Sequence, residues 1–328
     1  MTMALSGIRA VRLAPDWLPN TNHAGFYVAD ALGYYHDAGL RLEILPFDGE
    51  AMPNRKIASG ETDFGLMPQQ SILSMRARGV DVVSVAALVQ PNTTTIMVRD
   101  ESGGGGIQRP AEFAGRRYAA FGTDFEVPML EAMIRHGGGS GGVVQVPEGK
   151  LDNLQALYDG ETDLAWGFYA WEGIQAELAG KRLRHFFVAE HGVPPEYFPL
   201  LFTTRELIER EPETVRAFVG ATGRGYAYVA EHPAEAAELL LRAIQPTMLP
   251  PAHGAELVRR SLAWLAPRFA GTLAGTPSPH PWGYHDLQAW AAFASFIRQL
   301  AGAHGLPPIE PDAETRGYTN AFVGTPDA

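Results

Sequence analysis

The sequence predicts an α/β protein made of two related lobes, on three observations. Short strand-like runs alternate with amphipathic helix-like runs through the first part of the chain. The alternation restarts after a glycine tract, Gly103 to Gly106. Ser59-Gly60-Glu61-Thr62-Asp63-Phe64-Gly65 returns as Asp159-Gly160-Glu161-Thr162-Asp163-Leu164-Ala165, so that Gly60 and Gly160 lie 100 residues apart in equivalent helix-turn-strand settings. Two similar lobes on one chain favour a cleft between them, where small ligands are usually held. The expected division is 8–95 with 200–328 as lobe 1 and 96–199 as lobe 2, with Pro91 to Val98 and Tyr197 to Thr204 as the crossovers.

Taken in order, Arg9 to Ala14 reads as a strand, Pro19 breaks it, and Asn20, Thr21 or Asn22 caps a helix running to about Tyr35. Leu40, Leu42 and Ile44 alternate with Arg41 and Glu43, as in a strand with one buried face. Pro53 to Ser59 is short and polar, Asp63 to Leu66 is strand-like, and Pro68 suits the first turn of a helix reaching Arg78. Val80 to Val89 and Thr94 to Val98 are β-rich. The second half gives strands at Tyr118 to Phe121, Val143 to Val146 and Asp163 to Trp166, and helices at Asp124 to Arg135 and Lys150 to Tyr158. Such alternation implies a largely parallel sheet covered on both faces. Beyond Arg205 the chain is mostly helical: Pro212 and Pro233 each begin a helix, and Ala252 to Phe269 and Tyr284 to Ala303 follow around a Gly- and Pro-rich loop, Ala270 to Gly283.

The 328 residues, 46% hydrophobic, suffice for a sizeable core. A formal net charge of -11 argues against nucleic acid and anionic membranes as partners, and favours a neutral or weakly cationic small ligand. The absence of cysteine excludes disulfides, thiolate nucleophiles, iron–sulfur clusters and cysteine-ligated zinc. The N-terminus has no basic segment followed by an apolar core, and no stretch approaches the ~18 apolar residues of a membrane span.

Two constellations point to a ligand site. At the first strand-to-helix junction, Trp17 stands beside Asn20, Asn22 and His23; unpaired backbone N–H groups at a helix start can dock polar ligand atoms. Capping alone explains one Asn but not Trp17. After the second repeat copy, Trp166, Phe168, Tyr169 and Trp171 surround Glu172. Rings can stack on the faces of a flat heteroaromatic ligand while the carboxylate meets its edge. Strand alternation puts one of each neighbouring pair in the core. Two further junctions have the same placing: Thr123 with Asp124, either of which can instead cap a helix, and Gln69 with Gln70, one of which can be solvated. Gly138 to Gly142 matches both G-x-S-x-G and, from Gly137, G-x-G-x-x-G, but a helix precedes it and a strand follows, the reverse of what either motif requires. No histidine pair has metal-ligand spacing, so neither a metal nor a cofactor is expected.

Trp17-x-Pro19-Asn20-x-x-His23, Gly25-Phe26-Tyr27-Val28-Ala29, Gly33-Tyr34-Tyr35 and the repeat resemble the thiamine-pyrimidine-precursor-binding proteins of bacterial ABC importers. The wider group holds sulfonate- and riboflavin-binding proteins and the fungal-type hydroxymethylpyrimidine phosphate synthase. The likeness runs from Val11 to about Leu241 and includes Gly192-Val193-Pro194 with Tyr197. It implies a type II periplasmic-binding-protein fold, two α/β lobes closing on ligand, with extra C-terminal helices and no catalysis. It further implies that Trp17 stacks on a pyrimidine, that Tyr169 and Glu172 meet the ring edge, and that an ABC permease is the partner of a monomer. The synthases need a cofactor-binding Lys and a substrate-donating His where this chain has Met67 and Ser71, and a Cys-rich tract where it has Glu196 to Pro199; a Schiff base needs an amine, so that mechanism is disfavoured. The resemblance also implies an extracytoplasmic location, although no signal peptide is evident and a cytosolic relative stays open.

Overall fold

The structure is a computed structural model that describes residues 7–47, 52–90, 92–101, 106–119, 123–146, 153–269 and 280–324. In chain order its strands are β1 (Arg9–Ala14), β2 (Leu40–Ile44), β3 (Phe64–Met67), β4 (Val82–Ala87), β5 (Thr94–Arg99), β6 (Arg117–Ala119), β7 (Val144–Val146), β8 (Ala165–Phe168), β9 (Leu183–Phe187) and β10 (Leu200–Thr204). The chain forms two compact units, one of Met1–Pro91, Tyr197–Asp286 and Thr315–Ala328, the other of Asn92–Glu196 and Leu287–Glu314.

The first unit is built on a five-stranded sheet of order β2-β1-β3-β10-β4. β1 is parallel to both β2 and β3, whereas β10 is antiparallel to β3 and β4. The sheet is therefore mixed where the alternation predicted a largely parallel one: β10 belongs to the returning chain and enters between β3 and β4 against their direction. β4 is buried along its whole length, as its run of Val and Ala residues demands. The helix predicted from Asn20 to Tyr35 is divided. A 3₁₀ turn, Thr21–His23, leads into Ala24–Ala31, and Gly33, at φ 77°, ends that helix before a short one, Tyr34–Asp37. A left-handed residue cannot continue an α-helix.

Helix Ala24–Ala31 lies against the long helix Pro212–Glu231, and two glycines set that distance. A Cβ on Gly225 would stand 2.1 Å from the Gly25 carbonyl oxygen, and one on Gly25 would stand 2.2 Å from the Tyr226 ring. Phe218 of the long helix packs on Phe64 with ring centres 4.3 Å apart, and Tyr226 stacks on Trp282 at 4.8 Å. The helices from Pro212 to Phe269 are thus the outer layer that covers one unit's sheet.

The second unit holds a three-stranded antiparallel sheet of order β8-β5-β9 and a parallel pair, β6-β7, which meets the start of β8 through a parallel bridge between Tyr118 and Leu164. Helix Leu287–His304 belongs to this unit, whereas the sequence placed all of 200–328 in lobe 1. Its buried face carries Trp290, Phe293, Ile297 and Leu300, and His304 Nε2 stands 3.5 Å from Glu131 Oε2 on helix Glu126–His136. Helix Glu126–His136 precedes the glycine run at 137–142 and β7 follows it, so the hydrolase and dinucleotide motifs lack their context. The predicted turn at Gly103 to Gly106 and the loop from Ala270 fall largely outside the described residues.

The two repeat copies fold alike in atomic detail. In the first, Arg12 donates its backbone N–H to Asp63 at 2.8 Å and a guanidinium N–H to the Gly60 carbonyl at 3.1 Å, while the Asp63 N–H donates to the Arg12 carbonyl. In the second, Arg117, Asp163 and Gly160 make the same three bonds at 2.9, 2.8 and 2.9 Å. Gly60 and Gly160 turn at φ 75° and 73°. A glycine is required there because the chain must pass through the left-handed region to join helix to strand.

Candidate functional site

In the first unit the register pairs Leu13 with Phe64 and Ala14 with Gly65 in parallel, so the carboxyl ends of β1 and β3 lie side by side. Crevices outside the carboxyl ends of strands are where open α/β sheets bind ligands. β1 leads there into Trp17, Asn20, Asn22 and His23; β3 leads into Pro68, Gln69 and Gln70.

The loop after β1 is firmly held. The Asn20 side-chain oxygen accepts the Asn22 N–H at 2.9 Å, and its amide donates to the Leu18 carbonyl at 3.0 Å. This makes Asn20 the cap. His23 is only 3% exposed; its Nδ1 accepts the Asn20 N–H at 3.4 Å and its Nε2 faces Asp16 Oδ1 at 2.8 Å. Thr21 Oγ1 meets Ser261 Oγ at 2.6 Å, and the Tyr226 hydroxyl donates to the Asn22 carbonyl at 2.6 Å. Trp17, half-buried, has its ring centre 4.9 Å from that of Phe47. His23 and Asn20 therefore stiffen a loop that carries the indole and the Asn22 side chain.

After β3, Gln69 clamps the returning chain: its N–H donates to the Tyr197 carbonyl at 3.0 Å and its Oε1 accepts the Tyr197 N–H at 3.3 Å. The Tyr197 hydroxyl in turn accepts the Asp286 N–H at 2.9 Å, and burial pushes this phenol up to about 12. Both residues are buried, so neither predicted amide is simply solvated: Gln70 is 5% exposed as well. Met67 is buried in β3 beside Leu200, with no amine in its place.

The second unit repeats the arrangement. The Tyr118–Leu164 bridge sets β6 beside the start of β8, so Thr123 and Asp124 follow one strand and Phe168 to Glu172 the other. Thr123 is engaged by Glu126, which is 2% exposed and accepts the Thr123 N–H at 3.1 Å, its hydroxyl at 2.7 Å and the Tyr118 hydroxyl at 2.8 Å. The helix starts at Glu126 with Phe125 at its cap position and no side-chain cap bond, so Thr123 is tied to the Glu126 carboxylate and does not cap the helix. Tyr169–Gly173 forms a single π-helical turn, a feature concentrated at functional sites. Glu172 Oε2 accepts the Phe168 N–H at 2.8 Å, closing that turn. The Tyr169 hydroxyl donates to Glu177 at 2.7 Å, and its ring meets His185 edge-on at 5.0 Å. Trp166 is buried as core, while Phe168, Tyr169 and Trp171 stay half-buried.

Sequence reasoning missed Asp16, Glu126, Tyr226 and Ser261. Asp16 was legible as a carboxylate beside Trp17; Ser261 comes from 240 positions away, and no local pattern marks it. Among the described residues no group of three His, Asp or Glu side chains could hold a metal ion, and no helix is long and apolar enough to cross a membrane.

Two sets of strands whose carboxyl ends lead into aromatic and polar side chains, on a chain that passes four times between its units, define a protein of the periplasmic-binding-protein fold. The periplasmic aliphatic sulphonate binding protein SsuA of Escherichia coli superposes with a TM-score of 0.69 at 15% identity, over 98% of this chain and 95% of that one. Residues 20–236 match the family described as NMT1/THI5 like, and the chain belongs to that family. It is similar to the formylaminopyrimidine-binding protein of Halalkalibacterium halodurans, 27% identical over 88% of this chain and 85% of the relative. It is also similar to the 4-amino-5-hydroxymethyl-2-methylpyrimidine phosphate synthase of Legionella pneumophila, 27% identical over 74% of this chain and 76% of that enzyme.

Proposed function

We propose that this protein is the solute-binding component of an ABC importer, acts outside the cytoplasmic membrane as a monomer, and binds a pyrimidine-type thiamine precursor without catalysis. The observation that carries the reading is the half-buried Trp17 on a loop fixed at both ends by Asn20 and His23, at the carboxyl edge of a parallel strand pair. A rigid indole offers a stacking face at little entropic cost on binding. Asn22 supplies a polar group beside it. In the second unit Phe168, Tyr169, Trp171 and Glu172, with Thr123 and Asp124, form a like set of aromatic and polar groups suited to the same ligand class. His23, Gln69 and Tyr197 take part by holding these groups in place. The similarity to a formylaminopyrimidine-binding protein supports this ligand class.

The synthase reading has less support. Met67 and Ser71 stand where a Schiff-base amine and a donating imidazole are needed, and the chain has no cysteine. Riboflavin is the alternative ligand within the group. Thermal-shift titration with formylaminopyrimidine, hydroxymethylpyrimidine, thiamine and riboflavin separates these readings. A rise in Tm with one of the two free pyrimidines supports the proposal; a rise with riboflavin alone, or a yellow purified protein, replaces it.

A further inference from the structure

We infer that Gln70 is a ligand-recognition residue whose side-chain carbonyl accepts a hydrogen bond from an amino substituent on the bound heterocycle. The inference rests on the pyrimidine reading above and adds a residue and a chemical preference to it.

Gln69 and Gln70 are adjacent, both buried, and follow β3 at the same strand end. Their situations differ in one respect. Gln69 is bonded to the Tyr197 backbone through both its N–H and its Oε1. Gln70 Oε1 is buried and has no hydrogen-bond partner. A buried carbonyl without a donor is costly, and native structures keep few of them. Leucine or methionine would fill the same volume in a helix without that cost.

Position makes the orphan informative. β3 runs parallel to β1 with Ala14 opposite Gly65, so the segment holding Gln70 leaves the sheet beside the segment holding Trp17. A ligand stacked on the indole would bring its ring edge toward the neighbouring strand's end. An oxygen there accepts and cannot donate, so it selects a ring bearing an N–H donor. It disfavours an analogue without one, which would leave the carbonyl unpaired in the bound state. The pyrimidines named for the two relatives carry a formylamino and an amino substituent, each with an N–H to donate.

The test measures binding of two probes, 4-amino-5-hydroxymethyl-2-methylpyrimidine and its deamino analogue, by titration calorimetry, together with the Tm of the ligand-free proteins. Wild type, Gln70→Leu and Gln69→Leu are compared. The wild type is expected to prefer the amino probe by about tenfold or more. Gln70→Leu should lose most of that preference with a Tm unchanged or raised, whereas Gln69→Leu, which breaks the bonds to Tyr197, should lower the Tm. Full preference in Gln70→Leu, or a fall in Tm as large as that of Gln69→Leu, would overturn the inference. Binding of neither probe by the wild type would overturn the functional reading, and this inference with it.

Discussion

Buried His23 and the partly buried Asp16 form a pair, Nε2 to Oδ1 at 2.8 Å, at the base of the loop that carries Trp17. Because Nδ1 accepts the Asn20 N–H, the proton sits on Nε2 and is donated to the carboxylate. The imidazole thereby ties the start of the 3₁₀ turn to the end of β1. His23→Ala leaves Asp16 without its donor and should destabilise the protein by about 1–3 kcal/mol. Urea denaturation measures this, and ligand affinity should fall less than stability does.

Trp17→Ala is the converse case. The indole is half-buried and contacts Phe47, so its removal costs modest packing. Loss of a stacking face plus its apolar contact predicts an affinity lower by roughly tenfold or more, with only a small change in urea midpoint. Equal losses in both would make Trp17 part of the core.

Asp163 supplies a pH prediction. Hydrogen bonding to Arg117, aided by the Arg117 backbone N–H and the charge of Arg99, holds its carboxyl down to about 2. A depressed folded-state pKa contributes stability that is present above the ordinary carboxylate value of about 4 and is lost as the pH falls toward 2. Solvent screens a partly exposed pair, so the effect is modest. Asp163→Asn should flatten the acid limb of the stability curve across that window, measured by urea midpoints from pH 5 to pH 2.

The Arg–Asp–Gly clasp also shows what was legible in the sequence. Gly60 and Gly160, with the aspartates that follow, exposed the duplication because a left-handed turn restricts the residue choice. Strand β1 was legible from its composition and the following proline. The antiparallel course of β5 and β10 was not, because a strand's own residues do not record the direction of its neighbours. Likewise the amphipathic pattern of Leu287–His304 shows that it packs but not against what; its partner is fixed by contacts such as His304 with Glu131. At the site, residue types were readable but allegiances were not. Glu172 and Thr123 bond within their own segments, and Gln69 bonds to Tyr197, 128 positions away.

His285 carries a second pH prediction, independent of the ligand. It is fully buried between Ser84 Oγ, 2.8 Å from Nε2, and Asn320 Oδ1, 3.0 Å from Nδ1, with Tyr197 and Tyr318 packed on the ring. Burial lowers its pKa to about 4. The unfolded chain binds this proton below about pH 6.5, so stability is full above that value and declines as the pH falls toward 4, by up to about 3 kcal/mol. His285→Gln should lose stability at pH 7 and show a weaker decline between pH 7 and pH 5.

The central claim is that Trp17 forms one wall of a pyrimidine site. Titration calorimetry of the wild type and Trp17→Ala with formylaminopyrimidine and hydroxymethylpyrimidine tests it directly. The account predicts saturable one-to-one binding of at least one of them, weakened by Trp17→Ala while the unfolding midpoint stays nearly constant. No binding of either pyrimidine, or binding that Trp17→Ala leaves unchanged, would contradict it.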